Sequence, residues 1–200
     1  MPPTVDFWFD FASTYSYPAA ARIAGAARRA GVAIRWRPFL LGPIFKAQGW
    51  DTSPFNLYEA KGRYMWRDLE RLCDSLDLPF RRPAPFPQNS LLAARIALAG
   101  LAAGAPWAER FCPAVFRAQF GEGRRIDDPS TLSALLTALG AEPAAVLDAA
   151  QTDENKARLR AHTDEAQRLG IFGAPTFIAP DGELFWGNDR LDAALAWAAR

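Results

Sequence analysis

The sequence predicts an α/β fold in which a β-α-β unit and a β-β-α unit flank a long all-helical block. Three observations predict it. Val5 to Phe11 alternates apolar and aromatic residues, and an alanine-rich stretch follows at once. Residues 42–170 carry helical patterns and no convincing strand. Asp181-Gly182 separates two short β-prone runs, a strong hairpin signal.

Taken in order, Val5–Phe11 reads as a buried strand and Ser13–Ser16 as a short polar turn. Ala19–Arg29 reads as a helix, with Pro18 in its first turn, where a missing N–H costs little. Ala33–Phe39 is a second strand, so a parallel pair with a right-handed crossover is expected. In the block, Asn56–Leu76 is a long amphipathic helix. Helices over Ser90–Ala103 and Trp107–Gln119 follow, then shorter ones over 129–139 and 143–150. Thr152 caps a helix to Leu169, with Asp153 and Glu154 in the first turn and Gly170 at the end. The proline-rich stretch 79–87 cannot be helix and is an extended connection. Pro175–Pro180 and Glu183–Gly187 are the hairpin strands, and Asn188 caps a final helix over Asp189–Ala199. The expected division is a half made of residues 1–41 plus 171–200 and an inserted helical domain, 42–170.

Bulk properties narrow the function. Two hundred residues, half of them hydrophobic, suit one compact fold with a sizeable core. A net charge of +1 argues against a strong nucleic-acid footprint. No apolar run reaches the ~18 residues that would suggest a membrane span. The start, Met-Pro-Pro-Thr-Val-Asp, lacks the basic and apolar regions of a signal peptide, so a cytoplasmic location is expected. Cys73 and Cys112 lie far apart and in no motif. Cys73 falls on an apolar helix face with Met65, Leu69, Leu72 and Leu76, and both cysteines read as small buried hydrophobes. His162, the only histidine, lies on a polar helix and reads as a surface residue. One histidine excludes a His-rich metal site, and no metal is expected.

The chemistry centres on Ser13. It lies where a strand hands over to a helix, so free N–H groups and the positive end of the helix dipole point at it. Thioredoxin-like proteins carry Cys-x-x-Cys at this address, which here is Ser13-Thr14-Tyr15-Ser16. Two hydroxyls in place of two sulfurs keep the electrostatics and remove the redox chemistry. The inference is that a ligand, glutathione, brings the thiol and that Ser13 holds it as a thiolate. Thioredoxin folds also place a cis-proline opposite this helix, so a cis Ala174–Pro175 bond is expected; a plain turn proline starting an edge strand is the alternative. With the cis bond, the Ala174 backbone would face outward and pair with an extended peptide as an added strand does. At Trp186-Gly187-Asn188-Asp189, free N–H groups at Asn188 can bind a carboxylate, and Asp189 can pair with an α-amino group. An ordinary N-cap would carry the same sequence.

Five motifs together resemble the 2-hydroxychromene-2-carboxylate isomerases and the related kappa-class glutathione transferases, in the DsbA-like branch of the thioredoxin superfamily. They are Asp6-Phe-Trp-Phe-Asp-Phe-Ala-Ser13, Phe45-Lys46, Lys61-Gly-Arg-Tyr-Met, Phe172-Gly-Ala-Pro-Thr-Phe177 and Trp186-Gly-Asn-Asp-Arg-Leu191. The resemblance implies a thioredoxin-like fold with a large helical insertion. It implies a catalytic Ser13, with Ala174 and Pro175 at the cysteinyl backbone of glutathione. Trp186, Gly187, Asn188 and Asp189 would form the γ-glutamyl site. Lys46, Lys61 and Asn56 would face the glycine end or a small aromatic carboxylate substrate, with Tyr15 and Trp50 beside that substrate. Thr14 replaces the proline usual after the serine, and Trp50 stands where relatives often have asparagine. The implied activity is isomerisation between the ring-closed chromene carboxylate and trans-o-hydroxybenzylidenepyruvate in aromatic catabolism. A glutathione transferase and a non-catalytic thioredoxin-like binder are the alternatives. Relatives are commonly dimers, so a homodimer is a further expectation.

Overall fold

The computed structural model describes residues 2–200. Four strands form one sheet in the order β2-β1-β3-β4. β1 (Thr4–Phe9) runs parallel to β2 (Ala33–Pro38), and α1 (Ser16–Ala30) crosses between them. β3 (Thr176–Ile178) lies antiparallel to both β1 and β4 (Leu184–Trp186). This is the thioredoxin-like plan with a helical insertion that the motifs imply. The hairpin closes at Asp181-Gly182, where Gly182 has φ +90° and donates to the Ala179 carbonyl at 2.9 Å. That backbone angle favours glycine.

Strand alternation sorts β1 between two cores. Val5, Phe7 and Phe9 enter the larger one, where Phe7 stacks on Phe177 with ring centroids 5.4 Å apart. Trp8 faces the other side, with Phe39, Leu41, Ile44 and Ile178. The insertion comprises α2 (Leu41–Ala47), α3 (Pro54–Leu57), α4 (Glu59–Ser75), α5 (Leu91–Ala102), α6 (Ala108–Phe116), α7 (Pro129–Ala138), α8 (Pro143–Gln151) and α9 (Asp153–Arg168). It shares the larger core with the sheet: Phe9 meets Phe116 at 5.8 Å, and Ile96, Phe111 and Leu132 are buried in the same cluster. α10 (Leu191–Ala198) closes the chain.

Several boundaries differ from expectation. The first strand stops at Phe9, because the Asp10 side chain draws the chain into a turn. The expected helix 56–76 is two helices, α3 and α4, broken at Tyr58, whose backbone is extended (φ −115°, ψ 97°). The helix expected over 107–119 ends at Phe116 and passes into a π-turn, Arg117–Gly121, soon after the internal Pro113. His162 is not a surface residue. Its ring is half-buried, 6.0 Å from the Trp8 ring, with Nδ1 3.3 Å from the Pro38 carbonyl. Burial lowers its pKa from the usual histidine value. Cys73 and Cys112 are buried free thiols, as expected.

Candidate active site

The turn that carries Ser13 is held from beneath by a buried carboxylate. Asp10 Oδ1 accepts from the Ala12 N–H at 2.9 Å and from the Ser90 hydroxyl at 2.6 Å, and Oδ2 accepts from the Leu41 N–H at 2.7 Å. The Asp10 carbonyl accepts from the Ser13 N–H at 2.9 Å. One side chain therefore ties the turn to the starts of α2 and α5. Burial pushes the Asp10 carboxyl above the usual range, and its three hydrogen bonds oppose that rise. Above the turn, α1 begins at Ser16, and among the described residues no side-chain cap and no first-turn acid offsets its partial positive charge.

Across the cleft, Ala174–Pro175 is cis, as the fold predicts. The Ser13 hydroxyl donates to the Ala174 carbonyl at 2.8 Å, closing a gap of 161 positions in sequence. The Gly187 N–H donates to the Pro175 carbonyl at 2.9 Å, so the following turn is seated on the same edge. Gly187 has φ +108°, and a Cβ there would come within 2.6 Å of the Asp189 carboxylate. Asn188 does not cap the last helix. Residues Asn188–Arg190 form a single 3-10 turn before α10, and the Asn188 side chain is buried against Arg22 instead.

These parts border one cavity of about 1540 Å³. Ser13, Tyr15, Ala174 and the run Trp186–Asp189 line it from the sheet half, and Trp50 and Lys61 from the insertion. Lys46, Asn56 and Pro175 are not in its lining. Lys46 and Asn56 are exposed outside it, and Pro175 is buried behind Ala174. The Tyr15 hydroxyl donates to Asp68 Oδ2 at 2.9 Å, which ties the residue two places after Ser13 to α4. Burial, and then Asp68, hold the Tyr15 phenol well above its ordinary pKa. The Lys61 ammonium lies 4.7 Å from the Tyr58 ring centroid, and the Trp50 ring 5.9 Å from that of Phe45.

Residues 4–196 match the family model of the DSBA-like thioredoxin domain. A 2-hydroxychromene-2-carboxylate isomerase of Sphingobium xenophagum is 32% identical over 193 residues, covering 96% of each chain. The chain belongs to this family. A solved 2-hydroxychromene-2-carboxylate isomerase superposes with a TM-score of 0.81 at 31% identity, covering 94% of this chain and 90% of that one. Human glutathione S-transferase kappa 1 is 28% identical over 203 residues, with 96% of this chain and 89% of the relative covered.

Within this isomerase fold, three site features escaped the sequence. Asp10 sits inside the Asp6–Ser13 motif, but its bonds to Leu41 and Ser90 cross 31 and 80 positions. Arg22 reads as one more polar position on an alanine-rich helix, although its partner Asn188 lies 166 positions away. The Tyr15–Asp68 bond had no local signal either. Neither cysteine belongs to the site. Burial raises the Cys73 thiol to about 11 and Cys112 further still.

Proposed function

We propose that this protein is a cytoplasmic, glutathione-dependent isomerase of 2-hydroxychromene-2-carboxylate-type substrates in aromatic catabolism. The observation that carries this is the Ser13 hydroxyl, set at the uncapped N-terminus of α1 and aimed across the cleft at the Ala174 backbone. The residues present fit glutathione. An uncompensated helix end favours an anion beside Ser13. The Ala174 carbonyl is an acceptor that an extended peptide can use once the hydroxyl turns away. A volume of about 1540 Å³ exceeds the roughly 300–1,000 Å³ of an ordinary ligand pocket, which leaves room for a tripeptide and an aromatic acid together.

When bound, glutathione supplies a thiol whose ionised form adds reversibly to a conjugated side chain and allows its double bond to rotate. The chain's own residues orient and hold charge. Ser13 donates a hydrogen bond and the α1 terminus adds its dipole. Ala174 aligns the peptide, and Asn188 and Asp189 take the γ-glutamyl end. Lys61 is a cation in the cavity wall, suited to a carboxylate. Tyr15 and Trp50 give the aromatic substrate a wall. Lys46 and Asn56 would meet it only from outside the present lining.

The test is to soak in glutathione, locate its sulfur, and follow chromene carboxylate isomerisation by ultraviolet absorbance with and without the thiol. A sulfur beside Ser13 and glutathione-dependent turnover are expected. Turnover that ignores glutathione, or a sulfur remote from Ser13, refutes the proposal. Similarity to the human kappa-class transferase favours conjugation as the second reading. Consumption of thiol with a halogenated aromatic separates the two.

A further inference from the structure

Arg22 ties the Asn188 turn to the helix that presents Ser13. It lies on α1, and its guanidinium uses three nitrogens on one short segment. Nε donates to Asn188 Oδ1 at 3.2 Å, Nη2 to the Asn188 carbonyl at 2.8 Å, and Nη1 to Asp192 Oδ2 at 2.8 Å. Both the side chain and the main chain of Asn188 are thus gripped by one planar fork, a geometry that lysine cannot copy. Main-chain bonds seat the turn at its start, with Gly187 N–H on the Pro175 carbonyl at 2.9 Å and Arg190 N–H on the Gly187 carbonyl at 3.0 Å; from α1, the Arg22 fork grips Asn188 itself. The segment is a single 3-10 turn of three residues after Gly187, at φ +108°, and Asp189 is exposed and, among the described residues, pairs with its neighbour Arg190 at 3.1 Å.

We propose that Arg22 is a positioning residue that makes the cavity selective for a γ-glutamyl thiol over a shorter one. This rests on the glutathione site proposed above. Asn188 and Asp189 line the cavity, whereas Arg22 does not, so Arg22 acts through the turn and does not touch the ligand. Ser13 lies in the turn that leads into α1 and Arg22 on α1 itself, so the fork ties the spacing between the thiol end of the site and the end that takes the ammonium and carboxylate groups to one helix. A ligand that spans both ends depends on that spacing; a ligand lacking the γ-glutamyl group does not.

The experiment measures binding, not turnover. Dissociation constants of glutathione and of cysteinylglycine are obtained by calorimetry for the native protein, Arg22→Lys and Asp192→Ala. Native protein should prefer glutathione. Arg22→Lys should erode that preference by about tenfold, the equivalent of one hydrogen bond to a charged group, with cysteinylglycine binding nearly unchanged. Asp192→Ala removes only the outer arm of the fork and should keep the preference. Equal weakening of both ligands in Arg22→Lys, or no change in either, overturns the proposal. If native protein binds the two thiols alike, the γ-glutamyl site itself is wrong and the role of Arg22 falls with it. Should lysine not be tolerated, Arg22→Gln retains one amide donor and serves the same comparison.

Discussion

Replacing Ser13 with alanine tests its proposed thiolate-holding role and has a calculable size. The hydroxyl already has a partner, the Ala174 carbonyl at 2.8 Å. Holding a thiolate therefore means exchanging a neutral acceptor for a charged one. A neutral hydrogen bond contributes about 0.5–1.5 kcal/mol and one to a charged group about 1.5–3, so the exchange is worth about 1.3 kcal/mol near mid-range. That corresponds to about one pKa unit on the bound thiol. Ser13→Ala should raise that pKa by about one unit and lower turnover roughly tenfold wherever the thiol is mostly protonated. The deficit should close at high pH, where glutathione ionises unaided. The fold should persist, because the lost bond contributes only about 0.5–1.5 kcal/mol to stability. The assay is ultraviolet isomerisation against pH, beside a thiolate titration of bound glutathione. Native rates in the variant, or a deficit that stays constant across pH with no change in the thiol pKa, would refute the reasoning.

Other outcomes follow from the geometry. Lys61→Ala should weaken substrate or thiol binding, whereas Lys46→Ala, outside the cavity lining, should leave steady-state constants close to native. Gly62→Ala should destabilise by about 1–3 kcal/mol in thermal melts, because a Cβ would run into the Phe55 carbonyl oxygen of the chain just before α4. In an open helix the same change would stabilise by up to about 1 kcal/mol. His162 gives a pH signature. Burial beside Trp8, and then the Arg37 guanidinium, lower its folded pKa; Arg158 acts in the same sense, and Glu165 and the Pro38 carbonyl oppose them. Above the unfolded value of 6.5 the ring is neutral in both states. As pH falls below it, the unfolded chain takes the proton first and stability drops, by at most about 1.4 kcal/mol per pH unit. His162→Gln should flatten the difference between denaturant midpoints at pH 7.5 and 5.5 on roughly that scale.

What was legible in the sequence was what short-range pattern encodes. The alternation in Val5–Phe11, the Asp181-Gly182 turn and the strand-to-helix handover at Ser13 are local; the turn and the handover stand where expected, and the strand stands there as far as Phe9. Misplaced boundaries arose where a side chain overrode periodicity. Asp10 bends the chain two residues before the hydrophobic run ends, and Asn188, polar and just ahead of a helix, gives up its capping role to a guanidinium on α1. His162 misled for a related reason. Its helix is mostly polar, but that position faces Trp8 across the smaller core, and contact with another element leaves no periodic trace. The cavity itself was invisible, since its walls come from both halves of the chain and meet only through long-range bonds such as Tyr15–Asp68.

The two hydroxyls of Ser13-Thr14-Tyr15-Ser16 are not equivalent, and the difference bears on where a thiol must come from. Ser16 opens α1, is fully buried, and its Oγ meets no hydrogen-bond partner among the described residues. Ser13 faces the cavity and already donates across it. A disulfide-forming pair needs an outer sulfur exposed to attack and an inner one to resolve the mixed disulfide; this chain keeps that spatial arrangement with oxygen at both places. Its own sulfurs cannot substitute. Cys73 sits on α4 with a thiol pKa of about 11, and Cys112 is fully buried on α6 and higher still, so neither is a thiolate near neutrality. Thiol chemistry at this cleft therefore needs sulfur delivered from outside. In the proposed function, the uncapped α1 terminus and the Ser13 hydroxyl receive the charge that sulfur carries.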